Sequence, residues 1–185
     1  MNEIFNLENY KNYLIEVYTY EIDNNEYSKN KRKEYLENHY SDEFLESIIN
    51  DTLNFSIYLL ESNLGNETRW CDIDLLEDAS YIFLNLTGGW FSDTLYRINY
   101  DGKEITISKH LLKKFLGNNF WIEEDSQINA VIDEDDEYTI YNEYYYPFIR
   151  ISGNFKNLED KYRSIKELKQ KESVLVLKRI IEKCN

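Results

Sequence analysis

Between residues 7 and 23 the apolar positions Tyr10, Leu14, Val17 and Tyr18 return at helical spacing, which predicts an amphipathic helix. The polar stretch 24–30 ends it. A second short helix reaching Asn38 then carries the basic cluster Lys29, Lys31, Arg32 and Lys33, whose charge answers some of the surrounding acid. The strongest helical pattern runs from Asp42 to Ser62, where Leu45, Ile48, Ile49, Leu53, Ile57 and Leu60 form one stripe. Ser41 is placed to cap its N-terminus, Asp42 and Glu43 suit the positive end of its dipole, and Tyr40 is placed to staple onto Leu45. Gly65 follows closely enough to end the helix, which is expected to lie in the core.

Residues 66–80 read as a polar connection carrying Trp70, Cys71, Asp72 and Asp74. Tyr81–Leu86 reads as a buried strand that stops at Thr87-Gly88-Gly89. Two alternating runs over 94–107, separated by Asp101-Gly102, predict a hairpin with a type I′ turn, because both central residues of that turn need positive φ. Ser108 then caps a short helix through Leu116, and Gly117 ends it.

Phe120–Ile122, Ile128–Ile132, Tyr138–Tyr146 and Phe148–Ser152 are further strand candidates. Pro147 cannot donate to a ladder and belongs at a strand end, bulge or edge. Leu158–Gln170 and Val174–Lys183 read as helices, with Asn157 and Ser173 as caps. Helices, a largely antiparallel sheet of about five strands and helices again define an α+β class. A chain of 185 residues suits a single domain spanning 1–185.

Composition sharpens this picture. An apolar fraction of 42% supplies a core, which excludes a disordered chain. A formal net charge of −14 keeps the protein soluble and repels nucleic acid, acidic substrates and anionic membranes, so the partner expected by charge is a protein with a basic surface. No apolar run approaches the roughly 18 residues of a membrane span, and the N-terminal residues do not form a signal peptide. The expected location is the cytoplasm. Cys71 and Cys184 lie far apart in the chain, which fits reduced thiols rather than a disulfide framework or a zinc site.

The charge is concentrated. Residues 121–147 hold nine acids and no base, whereas 148–185 hold ten bases and five acids. Asp133, Asp135 and Glu137 have the one-three-five spacing of calcium-loop ligands, but the required Gly and Glu are replaced by Tyr138 and Tyr144, so no metal site is assigned. The same run, Asp133, Glu134, Asp135, Asp136 and Glu137, reads better as the acidic tip of a hairpin. Tyr138, Tyr141, Glu143 and Tyr144 follow it as an interface strip, since tyrosine supplies rigid contact area with a polar tip. Trp90, after the Gly88-Gly89 turn, joins this list as a candidate anchor. Trp70 and Trp121 are assigned to the core or its rim.

No catalytic residue or cofactor is assigned. His39 and His110 are the only histidines and sit where surface or cap residues belong, and no phosphate-binding glycine loop or nucleophile elbow occurs. The expected function is therefore binding rather than catalysis. The composition is that of small acidic bacterial or phage proteins, such as immunity proteins and phage-borne inhibitors, that neutralise a toxin, nuclease or other effector; nucleic-acid mimicry is one form of this. The alternatives are an enzyme or ligand-binding domain with a cleft near Trp70 to Asp74 and Trp90, and a homo-oligomer joining acidic middle to basic tail.

Overall fold

A computed structural model describes residues 3–16, 26–67, 69–76, 80–84, 90–135 and 138–167; over 69, 80–84, 90–92, 126–135 and 138–146 it describes the backbone. The elements are α1 (Leu7–Glu16), α2 (Glu26–His39), α3 (Asp42–Asn63), β1 (Arg69–Asp74), β2 (Ser80–Leu84), β3 (Trp90–Tyr100), β4 (Lys103–Ser108), α4 (Lys109–Leu116), β5 (Phe120–Asp135) and β6 (Tyr138–Gly153). A 3-10 turn, Phe155–Leu158, leads into α5, helical over 159–167. The class is α+β. The later part of the first predicted helix and the helix predicted over 174–183 lie outside the described residues.

Local signals act as their chemistry dictates. Ser41 Oγ accepts from Phe44 N–H at 3.2 Å, and Ser108 Oγ accepts from Leu111 N–H at 3.0 Å, so both serines cap their helices. Asp101 and Gly102 have φ of 51° and 73°, as a type I′ turn requires, and the β3–β4 ladder closes at Tyr100–Lys103. On α2, Lys29 pairs with Glu16, Lys31 with Glu34 and Lys33 with Glu37, while Arg32 turns inward and donates from Nε to the carbonyl of Ile15 at 2.5 Å.

The strands form two antiparallel sheets, ordered β1-β6-β5 and β2-β3-β4. Among the described residues a single isolated bridge, Leu75–Ile98, joins them, so β1 and β2 follow one another along the same side of β3. The stretch read as a polar connection is thus the strand β1. Its alternation of Trp70, Asp72 and Asp74 with Cys71 and Ile73 is the pattern of a half-buried strand, masked in sequence by its charges. The separate strand candidates after residue 120 merge into two 16-residue strands paired without a register shift from Phe120–Gly153 to Asp135–Tyr138.

Pro147 lies inside β6 rather than at its end. Its carbonyl accepts from Leu75 N–H at 2.8 Å, so its missing N–H faces the side of β6 on which β1 runs out.

α3 packs across this framework. Phe55, Leu59 and Leu60 meet Tyr96, Ile98, Ile107, Ile149 and Ile151 in the main core, and Leu45, Ile48 and Ile49 meet Tyr10, Leu14 and Leu36 in a second one. α3 also covers the outer edge of β4. Asp51 Oδ2 accepts from Thr106 N–H at 3.2 Å, and Thr52 Oγ1 accepts from Ser108 N–H at 2.9 Å, which satisfies groups that an exposed edge strand would present to another chain.

Candidate functional site

The outer face of the β1-β6-β5 sheet repeats one arrangement on both sides of β6. Trp70 and Trp121 both pair with Ser152, Asp72 and Glu123 with Arg150, and Asp74 and Asp125 with Phe148. Directly opposed residues of neighbouring strands share a face, so the two tryptophans stand roughly 10 Å apart at ~4.8 Å per strand, with four carboxylates around one arginine. Trp70 is 66% exposed and Trp121 61%, which corrects their assignment to the core; the other face, with Ile149 and Ile151, is the buried one.

Arg150 is the cation that this face holds within the chain. Its Nε and Nη2 donate to the two carboxylate oxygens of Asp72 at 2.7 and 2.8 Å, while its guanidinium lies 5.1 Å from the Trp70 ring centre and 5.5 Å from that of Phe148. These hydrogen bonds hold the Asp72 carboxyl below its ordinary range and raise Arg150 above its own. Trp121 and Glu123 repeat the pair of groups that Trp70 and Asp72 offer. The sequence carries a sign of this, Trp-x-acid-x-acid at 70–74 and again at 121–125, which the sequence reading did not single out.

A cleft of about 560 Å³ opens beside β1, lined by Cys71, Asp72 and Ile73, by Asn99, Tyr100 and Asp101, and by the α3 residues Phe55, Tyr58 and Leu59. Of the stretch Trp70–Asp74, near which a cleft was expected, Cys71, Asp72 and Ile73 line this one, and Trp70 and Asp74 do not. Trp90 does not belong to it: it begins β3, paired with Leu84, and lies about 25 Å of strand away from Ile98 at ~3.3 Å per residue.

A third cluster lies inside. The buried carboxylate of Asp93 accepts from Tyr10 Oη (2.7 Å), Ser108 Oγ (2.5 Å), and the N–H groups of Thr94 (2.8 Å) and His110 (3.1 Å). Burial pushes its pKa up even though all four donors favour the charged form. His110 is half-buried rather than a surface residue, its ring stacked on Tyr13 with centroids 3.2 Å apart; burial, helped by Lys114, lowers its pKa to about 4. Asp93 meets His110 through the backbone and Ser108 directly. The three residues are thus joined as a helix cap, not as the nucleophile–base–acid relay of a hydrolase. His39 ends α2, stacked on Tyr35.

Asp133, Glu134 and Asp135 end β5, opposite Ile140, Thr139 and Tyr138; Tyr141, Glu143 and Tyr144 lie further along β6, opposite Ile132, Ala130 and Asn129. The acidic run thus reaches the hairpin tip, with Asp136 and Glu137 outside the described residues. Among the described residues no group of acidic, histidine and cysteine side chains is placed to hold a metal ion, and no helix is long and apolar enough to cross a membrane. No family model matches the chain, and neither a curated protein nor a solved structure matches it significantly.

Proposed function

We propose that this chain is a binding protein that neutralises a partner with a basic surface, docking it on the outer face of the β1-β6-β5 sheet with a partner arginine seated on Trp121 and Glu123. The observation that supports this is Arg150 itself, already held by stacking on Trp70 and by two hydrogen bonds to Asp72, with the same two groups repeated across the strand. Stacked arginine with a bidentate carboxylate is a recurrent interface chemistry, and exposed tryptophan is a common binding hot spot. The acids Asp133 to Asp135 end β5 on the same hairpin and, with Asp136 and Glu137 next in the sequence, add long-range attraction, with Tyr138, Tyr141, Glu143 and Tyr144 as the interface strip. A cytoplasmic effector such as a toxin or nuclease is the class of partner.

The test is side-by-side capture from a host lysate by the wild-type chain and by a Trp70→Ala/Trp121→Ala variant. The reading expects a basic protein, retained at low salt and released at high salt, that the variant fails to hold. An unchanged set of captured proteins, or a retained partner that is not basic, rejects it.

A further inference from the structure

The cleft beside β1 holds a polar group that the fold leaves half-used. Phe55, Tyr58, Leu59, Ser62 and Asn63 are spaced to share one face of α3, and that face forms a wall of the cleft. Asn63 is only 3% exposed, yet it lines the cleft. Its Nδ2 donates to the carbonyl of Leu59 at 2.8 Å, which turns Oδ1 away from the helix, and no described residue donates to that oxygen. The oxygen opens on the cleft rather than into packed core. Thr52, buried on the same helix, shows the contrast: its hydroxyl both donates to the carbonyl of Ile48 and accepts from Ser108 N–H. A deeply placed amide oxygen calls for a donor, and here the cleft is the side from which one can come.

The remaining walls define the molecule that carries the donor. Phe55, Leu59 and Ile98 are buried and apolar. Tyr58 and Tyr100 meet edge to face with ring centroids 5.1 Å apart, and Tyr58 is 46% exposed, so part of its ring stays uncovered beside the cleft. Of the two acids in the lining, Asp72 is held by Arg150, whereas the exposed Asp101 has no ion pair among the described residues. Among those residues no base lines the cleft. Its volume of about 560 Å³ falls within the roughly 300–1,000 Å³ of small-molecule sites.

We propose that this cleft binds a small aromatic amine, a flat ring whose N–H donates to Asn63 Oδ1 and whose ammonium group lies on the side of Asp101. The apolar wall and the tyrosine pair take the ring, and a cation beside tyrosine faces gains further attraction. An anionic ligand of the same shape meets an acid and no compensating base. The cleft lies on the α3 side of β1, behind the sheet face that carries Trp70 and Trp121, so this reading and the docking of a basic partner can fail separately.

The probes are tryptamine, its ring-N-methylated form, which lacks the donor, and indoleacetate, which keeps the donor and reverses the charge. Titration into the full chain, followed by amide shifts, should show saturable tryptamine binding with shifts at residues 58–63 and 98–101. The methylated amine should bind about tenfold more weakly, and indoleacetate at least about threefold more weakly at low salt. Equal affinity for tryptamine and its methylated form overturns the proposal, as do tighter binding of indoleacetate, shifts confined to the surroundings of Trp70 and Trp121, or no saturation by ~5 mM tryptamine. Asn63→Leu, checked for a native melt, should bind the two amines within about twofold of each other. A tenfold gap persisting in that variant would remove Asn63 as the acceptor and overturn the proposal too; the wild-type series decides alone where the variant does not fold.

Discussion

The hydroxyl of Tyr10 on α1 donates to the carboxylate of Asp93 on β3 at 2.7 Å, and both residues are almost wholly buried. This bond ties the first helix to the sheet. Tyr10→Phe keeps the ring and removes one of four donors from a buried charge, so it should cost about 1.5–3 kcal/mol, the usual range for a hydrogen bond to an ionised group. Urea denaturation measures this; a loss below ~0.5 kcal/mol would mean that the carboxylate is satisfied without Tyr10.

His110 makes stability depend on pH. Its folded pKa of about 4 lies below the ordinary 6.5, so between these values the unfolded chain binds the proton and the folded one resists it. The contribution is complete above pH 6.5 and is lost as pH falls toward 4. With the ring only half-buried, screening limits the effect to about 1–2 kcal/mol. Asp93, whose pKa is raised, acts in the opposite sense and gains as pH falls. Comparing wild type with His110→Phe, which keeps a ring against Tyr13, isolates the histidine: the variant should lose less stability from pH 7 to 4.5. Parallel pH profiles would remove His110 as the cause.

Gly153 is required by its neighbour across the ladder. A Cβ there would come within 2.5 Å of Cδ1 of Phe120, whose buried ring also packs edge-on against Phe155. Gly153→Ala should therefore destabilise by about 1–3 kcal/mol, as overpacking does. In a Phe120→Leu background the same substitution should cost less. Simple additivity of the two changes would show that the ring is not what excludes the methyl group.

Trp70 and Trp121 should matter little to folding. Trp121→Ala is expected to change stability by no more than ~0.5 kcal/mol, and Trp70→Ala by slightly more, since it removes the ring beneath Arg150, worth about 0.5–1 kcal/mol at an exposed site. Thermal melts of the two variants check this. A loss above ~3 kcal/mol for Trp121→Ala would place that ring in the core after all.

Glu123→Lys with Asp125→Lys should slow association with the captured partner and flatten its salt dependence, because in the proposed docking these acids steer and seat the partner's cation. Stopped-flow mixing at two salt concentrations reads both effects. Faster association would contradict the basic-partner assignment.

Much of this protein is legible from short stretches. The caps at Ser41 and Ser108 and the Asp101-Gly102 turn each depend on chemistry within a few residues, and sequence alone determines them; the stripe of α3 was legible in part, since Leu45, Ile48, Ile49 and Leu60 are buried as expected, whereas Leu53 and Ile57 are only partly so and Phe55 and Leu59 take the core positions beside them. The acids Asp133 to Asp135, which end β5, were equally visible, because their charges are consecutive. The face that now carries the functional reading was not. Trp70 and Trp121 become neighbours only because β6, near the end of the chain, pairs with β1 on one side and β5 on the other and aligns both tryptophans with Ser152. The cleft likewise exists because β1 and β3 meet at Leu75–Ile98 and then diverge. Register between distant strands is set by packing over the whole core, and only the tertiary structure decides it.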